Sequence, residues 1–168
     1  MDKMVSFKER VRSGIVTGAF SYSLLVGKTI RVKSPLFENS KEFVLRFFPR
    51  NFLHLTGVVT PLSSMDFYQK ALDGSLLVSD FDCDSTPALK GTVRYKIRNI
   101  QDIGTFYQRV TKVEVDFSSN TVRCRFATTD GQYTIGFVGS SILVPNTLLN
   151  KDKIKEANAI TDFKVSIS

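Results

Sequence analysis

The sequence predicts an α+β fold in which short N-terminal helices pack on an antiparallel β-sheet meander. Apolar residues recur at helical spacing in several segments before residue 110, and from Lys112 onward they alternate with polar residues, as in strands. Helices followed by an antiparallel meander are typical of α+β domains. A chain of 168 residues with 42% hydrophobic residues suits one domain over residues 1–168, with a helix at about residues 5–12 as an appendage.

The first elements are that short helix and two strands. Met4, Phe7 and Val11 lie three and four residues apart, which places them on one face of a helix. Alternating residues predict strands at 28–33 and 43–48, each followed by a proline that ends it.

Two longer helices are predicted next. Residues 63–74 form the clearest one, because Ser63 can cap its start and Gly74 can end it. After a loop at residues 80–87, a second helix is predicted from Thr92 onward. Its apolar residues recur at helical spacing: Val93, Ile97, Ile100, Ile103 and Tyr107.

The remaining third of the chain is predicted to be β-sheet. Alternation predicts strands at 113–117 and 122–126, and the pair Asp130-Gly131 is a strong hairpin signal before the next strand. Pro145 and Asn146 are predicted to break that part of the sheet. The alternating tail at 160–167 is predicted to close the sheet.

The charge of the chain is strongly basic. The formal net charge is +7, and the segment 90–112 contains six basic residues and one acid, a local net charge of 6 − 1 = +5. Such a surplus attracts polyanions, chiefly nucleic acid. The alternative is a basic surface that serves only solubility.

Two groups of basic residues are candidates for binding nucleic acid. Arg94 and Arg98 are four residues apart on a predicted basic helix from residue 94 to residue 109, with Tyr95 beside them to stack on a base. Arg123 and Arg125 share one face of a predicted strand. The alternatives are a solvated helix face and edge-strand charges that discourage aggregation.

The segment Phe52-Leu53-His54-Leu55-Thr56-Gly57 holds the single histidine of the chain. Histidine, with an ordinary pKa of ~6.5, exchanges protons near neutral pH. In a strand His54 and Thr56 would share a face, whereas in a helix they would diverge, and so short a segment does not decide between these. The alternative to a functional histidine is a ring packed among Leu and Phe.

Several other kinds of site lack their sequence signals. With one histidine, Cys83 and Cys124 do not fit a zinc site, and Asp80, Asp82 and Asp84 lack the glycine and the glutamate of a calcium loop. We favour a solvated acidic loop there over a magnesium site. Phosphate-binding, dinucleotide-binding and serine-nucleophile motifs are absent. We therefore expect no metal and no cofactor. The two cysteines, far apart in the sequence, favour a reduced cytoplasmic protein, and no stretch approaches the ~20 apolar residues that span a bilayer, so we expect no membrane partner.

The motif at 52–57 is one of several that together resemble a known family. Phe67-Tyr68 follows on a predicted helix, Arg94 and Lys96 open a basic helix, and Pro145-Asn146-Thr147 comes later. The order resembles a phage-associated family of nucleases with the barnase, EndoU, colicin and RelE-like (BECR) fold, over about residues 20–165; Leu24-Leu25-x-Gly27-Lys28-Thr29 also fits. The resemblance implies metal-independent RNA cleavage in the cytoplasm of a bacterial host, carriage on phage or mobile elements, and use as a toxin.

The hypothesis that follows is an endoribonuclease. His54 is the candidate general base or acid, Lys96 or Arg94 the cation that stabilises the transition state, and Thr56 or Thr147 the group that orients the phosphate. RNA is the expected partner, with a cognate antitoxin or a host protein as a second one. The alternatives are a non-catalytic module that binds nucleic acid or protein, and a phage-encoded inhibitor of a host system.

Overall fold

A seven-stranded sheet and four α-helices make up the protein in the computed structural model, which describes residues 4–168 apart from the side chain of Ser40. The helices within this range are α1 (Phe7–Ser23), α2 (Phe52–Thr56), α3 (Ser64–Asp73) and α4 (Pro87–Ile100). The strands are β1 (Thr29–Lys33), β2 (Glu42–Arg46), β3 (Lys112–Ser119), β4 (Val122–Thr129), β5 (Tyr133–Gly139), β6 (Leu143–Asn150) and β7 (Lys164–Ile167).

The sheet has the order β3-β4-β5-β6-β2-β1-β7. Strands β3 to β6 form the predicted antiparallel meander, and the tail strand β7 pairs with β1. The two parts of the sheet meet where β2 pairs with β6 in parallel, through the single register pair Leu45 and Leu143. This arrangement of helices and a mostly antiparallel sheet confirms the predicted α+β class.

Helix α1 is much longer than the helix expected at residues 5–12. Ser6 caps it by accepting a hydrogen bond from the Glu9 amide, and the helix continues to Ser23. Its buried stripe belongs to the central core, so the element is part of the packed structure and the expectation of an appendage is wrong. The members of that stripe are Val11, Ile15, Ala19 and Tyr22.

Helix α3 matches its prediction, whereas α4 does not. Ser63 caps α3 and Gly74 ends it in the left-handed conformation. Helix α4 begins at Pro87, before the predicted Thr92, because Thr86 caps it and proline is well suited to the first helical position. It ends at Ile100, so the predicted basic helix from residue 94 to residue 109 is interrupted, and a separate 3₁₀ segment carries Ile103–Gln108.

Strand β6 passes through the two residues that were predicted to break the sheet. Thr147 lies opposite Gly136 but Pro145 lies opposite Phe137, so Asn146 is the extra residue of a β-bulge. A bulge is one of the few places inside a sheet where a proline is tolerated. The expected break is therefore wrong.

The core between the helices and the sheet is rich in phenylalanine, as 14 Phe and no Trp in the sequence require. Tyr22 of α1 lies at its centre, in edge-to-face contact with Phe47, Phe52 and Tyr68. Its hydroxyl donates to the Phe48 carbonyl over 2.7 Å, which satisfies the polar end of a side chain that is otherwise buried. None of the helices within residues 4–168 has the length and apolar composition that crossing a bilayer requires.

Candidate active site

A pocket of about 590 Å³ opens where α2, the turn after it, the start of α3 and the middle of α4 meet. Its side chains are a mixture of cations, hydroxyls and apolar groups. The lining residues are Arg50, Leu53, His54, Gly57, Val58, Val59, Thr60, Ser64 and Lys96.

The segment at 52–57 is helical, which settles the alternative that its sequence left open. A 3₁₀ turn at Pro49–Asn51 leads into α2, and Gly57 ends the helix with a φ of 77°. Phe52 and Leu55 are fully buried, while His54 is exposed on the opposite side of the helix. The imidazole therefore faces the pocket and is not enclosed by Leu and Phe.

Lys96 reaches the same pocket from α4. The residue is only 8% exposed, and it has no hydrogen bond or ion pair with any residue of 4–168. The ring of Tyr95 lies beside it, with the ring centroid 5.9 Å from the Lys96 ammonium nitrogen. A buried amine without a partner carboxylate is costly to keep charged, so burial lowers the pKa of Lys96 to about 8.

Gly57 makes room for the lysine stem. A Cβ atom at this position would lie 2.9 Å from Cδ of Lys96. The positive φ at Gly57 disfavours side chains as well. The glycine thus serves both the end of α2 and the path of Lys96 into the pocket.

The positive charge of Lys96 also affects the titration of His54. Burial first, and the positive charge of Lys96 second, lower the pKa of His54 from its ordinary 6.5. Near pH 7 the imidazole is therefore mostly neutral and able to accept a proton, while the Lys96 ammonium is mostly charged and able to bind an anion or donate a proton.

Arg50 is a third cation of the pocket, and the sequence analysis missed it. Its guanidinium carbon lies 4.5 Å from the centroid of the Phe48 ring, a cation–π contact that holds the side chain. The only signal in the sequence was its position just before the motif at 52–57. Ser64 lines the pocket as the first residue of α3, where the helix dipole also favours an anion.

Thr56 and Thr147 do not lie in the pocket. Thr56 is fully buried; its hydroxyl donates to the Leu53 carbonyl and accepts from the Val58 amide, which are structural bonds at the end of α2. Thr147 is a buried residue of β6 whose methyl group is directed at Gly136. Both predicted phosphate-orienting roles therefore need correction, because a helix turns Thr56 away from His54 and the sheet directs Thr147 at β5.

The predicted nucleic-acid-binding residues occupy three separate places. Tyr95 is half-buried beside Lys96, whereas Arg94 and Arg98 lie on the side of α4 that faces α1. Arg94 does not line the pocket of His54, so the expectation that it could be the cation of that site is wrong. Arg123 and Arg125 are exposed on β4, and Arg125 pairs with Asp116 at 2.7 Å.

The acidic loop and the cysteines show no metal-binding arrangement. Asp82 uses its carboxylate to accept from the amides of Asp84 and Ser85. No group of three or more His, Cys, Asp or Glu side chains is placed to hold a metal ion in the part of the chain that the structure describes. Cys83 and Cys124 are buried and free, and burial raises the pKa of the Cys83 thiol to about 11.

Comparison with protein families gives a match over nearly the whole chain. The model of the family described as phage-Barnase-EndoU-ColicinE5/D-RelE like nuclease4 (PBECR4) matches residues 15–166. The matched region includes α2, α3, α4 and the entire pocket. No match is found among curated proteins or solved structures.

Proposed function

Because the chain belongs to this phage-Barnase-EndoU-ColicinE5/D-RelE like nuclease family, we propose that it is a metal-independent endoribonuclease whose active site is the pocket of His54 and Lys96. The observation that carries the proposal is Lys96 itself. A lysine that is nine-tenths buried without a carboxylate partner is costly to folding, and it adjoins the only histidine of the chain.

The proposed reaction is an internal transesterification of RNA. Neutral His54 takes the proton of a ribose 2′-hydroxyl, whose oxygen attacks the adjacent phosphorus. The bond from phosphorus to the 5′-oxygen breaks, and the Lys96 ammonium gives its proton to that leaving oxygen. The products are a 2′,3′-cyclic phosphate and a 5′-hydroxyl, and a base placed in this way contributes ~10²–10⁴ in rate.

The negative charge that develops on the phosphorane is stabilised by cations of the pocket. Lys96 and Arg50 line the same pocket, and the N-terminus of α3 adds the positive end of its dipole. Among the described residues that line the pocket none is Asp or Glu, and carboxylates are the side chains by which Mg²⁺ is usually held. This donor set supports catalysis by the side chains alone.

The test is cleavage of a single-stranded RNA in EDTA by the wild type, His54→Ala and Lys96→Met. We expect the wild type to generate cyclic-phosphate ends, and both variants to lose at least ~10²-fold in rate. Lys164→Ala is the matched control, because Lys164 is exposed, lies outside the pocket and belongs to none of the motifs named above. Equal cleavage by the wild type and both variants, or cleavage that requires Mg²⁺, would contradict the proposal.

The phage origin and toxin role belong to the same proposal. The family description names phage, and a ribonuclease released in a bacterial cytoplasm damages the host unless a partner inhibits it. Expression of the wild type should therefore arrest growth, and His54→Ala should not. Growth arrest by both would favour a binding module over an enzyme.

A further inference from the structure

A second groove, of about 330 Å³, runs between α1 and α4 on the side of α4 away from Lys96. Arg94 and Arg98 are each two residues from Lys96, which places them about 200° around the helix axis. The floor of the groove is apolar and its rim is cationic. The floor is formed by Phe7, Val11 and Ile97, and the rim is formed by Arg10, Arg94 and Arg98.

We propose that this groove binds the single-stranded RNA that flanks the cleaved phosphodiester, as a substrate-binding site separate from the active site. The proposal rests on the proposed ribonuclease function for the identity of its ligand. It extends the sequence-based prediction for Arg94 and Arg98, since α1 supplies the other wall of the groove.

The cations of the rim are not neutralised by neighbouring acids. Helix α4 has no acidic residue and α1 has only Glu9. Within residues 4–168 none of the three arginines forms an ion pair. Arg10 donates to the Val5 carbonyl and Arg98 to the Asn150 side chain, so both are held in place while their charge stays free for a phosphate.

Phe7 strengthens the case for a nucleic-acid ligand. The Lys90 ammonium and the Arg94 guanidinium lie 5.0 Å and 5.6 Å from the centroid of its ring. Cations gathered around an aromatic ring and an apolar floor are the combination with which proteins hold single strands, because phosphates contact the cations while bases cover the apolar surface.

The size of the groove suits a strand of nucleotides. A cavity of about 330 Å³ lies at the lower end of the ~300–1,000 Å³ that is typical of small-ligand sites, which suits groups of nucleotide size. The pocket of His54 and this groove are separated by the width of α4, ~10–12 Å with side chains. A dinucleotide in the pocket cannot reach the groove, whereas a longer RNA can occupy both.

The experiment compares RNA binding with and without the arginines of α4. The probe is a fluorescein-labelled single-stranded RNA of about 20 nucleotides, longer than the ~4–16 that single-strand binding folds cover. Anisotropy is measured on the His54→Ala chain, in which cleavage is silenced, at several salt concentrations. Arg94→Ala/Arg98→Ala is compared with Lys41→Ala/Lys164→Ala, which removes the same charge from exposed positions outside both sites.

The arginine variant should bind the RNA at least about tenfold more weakly. The negative slope of log K against log salt should become shallower by about 1.4, which is ~0.7 for each of the two lost phosphate contacts. The control pair should stay within about twofold, since screened charges far from the ligand contribute little. In chains that retain His54, the arginine variant should raise KM for the long RNA and leave cleavage of a dinucleotide unchanged.

Unchanged RNA affinity in the arginine variant, or an equal loss in the control pair, would overturn the proposal. The proposal would also be overturned if the arginines were required for binding poly-glutamate but not for binding RNA, because the groove would then bind an acidic protein. If the arginine variant proves unfolded by circular dichroism, Arg94→Lys/Arg98→Lys replaces it, and it should keep the salt slope and lose affinity. If the RNA binds through the arginines but is not cleaved, the groove is supported and the proposed ribonuclease function is contradicted. If a dinucleotide is cleaved but RNA affinity does not depend on the arginines, the ribonuclease function is supported and the groove is contradicted.

Discussion

At the scale of single residues, burial of the Lys96 ammonium lowers the free energy of unfolding. Its pKa falls from 10.5 in the unfolded chain to about 8 in the folded protein. Unfolding therefore takes up protons between pH 8 and 10.5, so stability rises with pH across that window, and the full cost is present below pH 8.

Lys96→Met should accordingly stabilise the protein while abolishing activity. The shift corresponds to at most about 3 kcal/mol at pH 7, or several degrees in Tm, and the gain should shrink as the pH approaches 10.5. Thermal denaturation at pH 7 and pH 10 measures both effects. Lys28→Met, at an exposed position, should produce neither the gain in Tm at pH 7 nor its decrease at pH 10. A lower Tm for Lys96→Met than for the wild type would contradict the cost assigned to the buried ammonium.

The two lowered pKa values also predict the pH dependence of cleavage. If His54 acts as the base and Lys96 as the acid, kcat/KM rises with a pKa below 6.5 and falls with a pKa near 8. Lys96→Arg should reduce the rate and move the falling limb out of the measurable range, because a guanidinium keeps its proton. A falling limb that stays near pH 8 in this variant would assign it to another group.

The sequence singled out His54 and Lys96, which the fold brings to one pocket, but it did not predict the other residues around them. His54 was identifiable because it is the only histidine, and Lys96 because it lies in the most basic segment. Thr56 was misassigned because six residues do not distinguish a strand from a helix. Arg50 was missed because its place in the pocket depends on a contact with Phe48 that only the folded chain makes.

At the scale of elements, the packing of α1 on α4 depends on glycines. A Cβ at Gly14 would lie 2.3 Å from Cγ2 of Ile97, and one at Gly18 would lie 2.7 Å from Cγ2 of Ile100. The wall of the second groove therefore depends on two positions where α1 presents only backbone to its neighbour.

Gly14→Ala and Gly91→Ala form a matched pair for this packing. Both glycines lie inside helices, but a Cβ at Gly91 would meet nothing within 4 Å. Gly91→Ala should stabilise the protein by up to about 1 kcal/mol through helix propensity, whereas Gly14→Ala should destabilise it by ~1–3 kcal/mol through overpacking. Urea denaturation measures both, and a stabilising Gly14→Ala would show that the helices can separate without cost.

Local sequence signals located α3 well and the other elements less so. Ser63 and Gly74 mark both ends of α3, so its bounds follow from capping. The start of α4 depends on Thr86 and Pro87, which also read as loop residues. The continuity of β6 through Pro145 depends on a bulge, and a bulge is set by the partner strand.

At the scale of the whole molecule, the sheet consists of two parts joined by one register pair. Leu45 and Leu143 form that pair, and aromatic contacts such as the stacked rings of Phe43 and Phe126, 4.4 Å apart, reinforce the junction. The predicted order of helices followed by a meander did not include this junction, because pairing between strands distant in sequence leaves no local signal.

Hydrogen exchange should resolve the two parts. We expect the amides of β7, a four-residue strand at the sheet edge with no fully buried residue, to exchange at least about tenfold faster than those of β5. Amides of β1 and β2 should open at lower free energy than those of β4 and β5. Equal opening free energies in all seven strands would indicate one cooperative unit.

Two separate constraints act at Gly57, the positive φ and the close approach of the Lys96 side chain, and a substitution can satisfy one without the other. Asparagine tolerates a positive φ, so it satisfies the backbone requirement at the end of α2, but its first side-chain carbon would still crowd the Lys96 stem. Positions 57 and 96 should therefore covary: relatives with a side chain at the first position should have a shorter residue, or none that is cationic, at the second. Such a pattern would distinguish relatives that retain a buried cation in this pocket from relatives that retain only the fold.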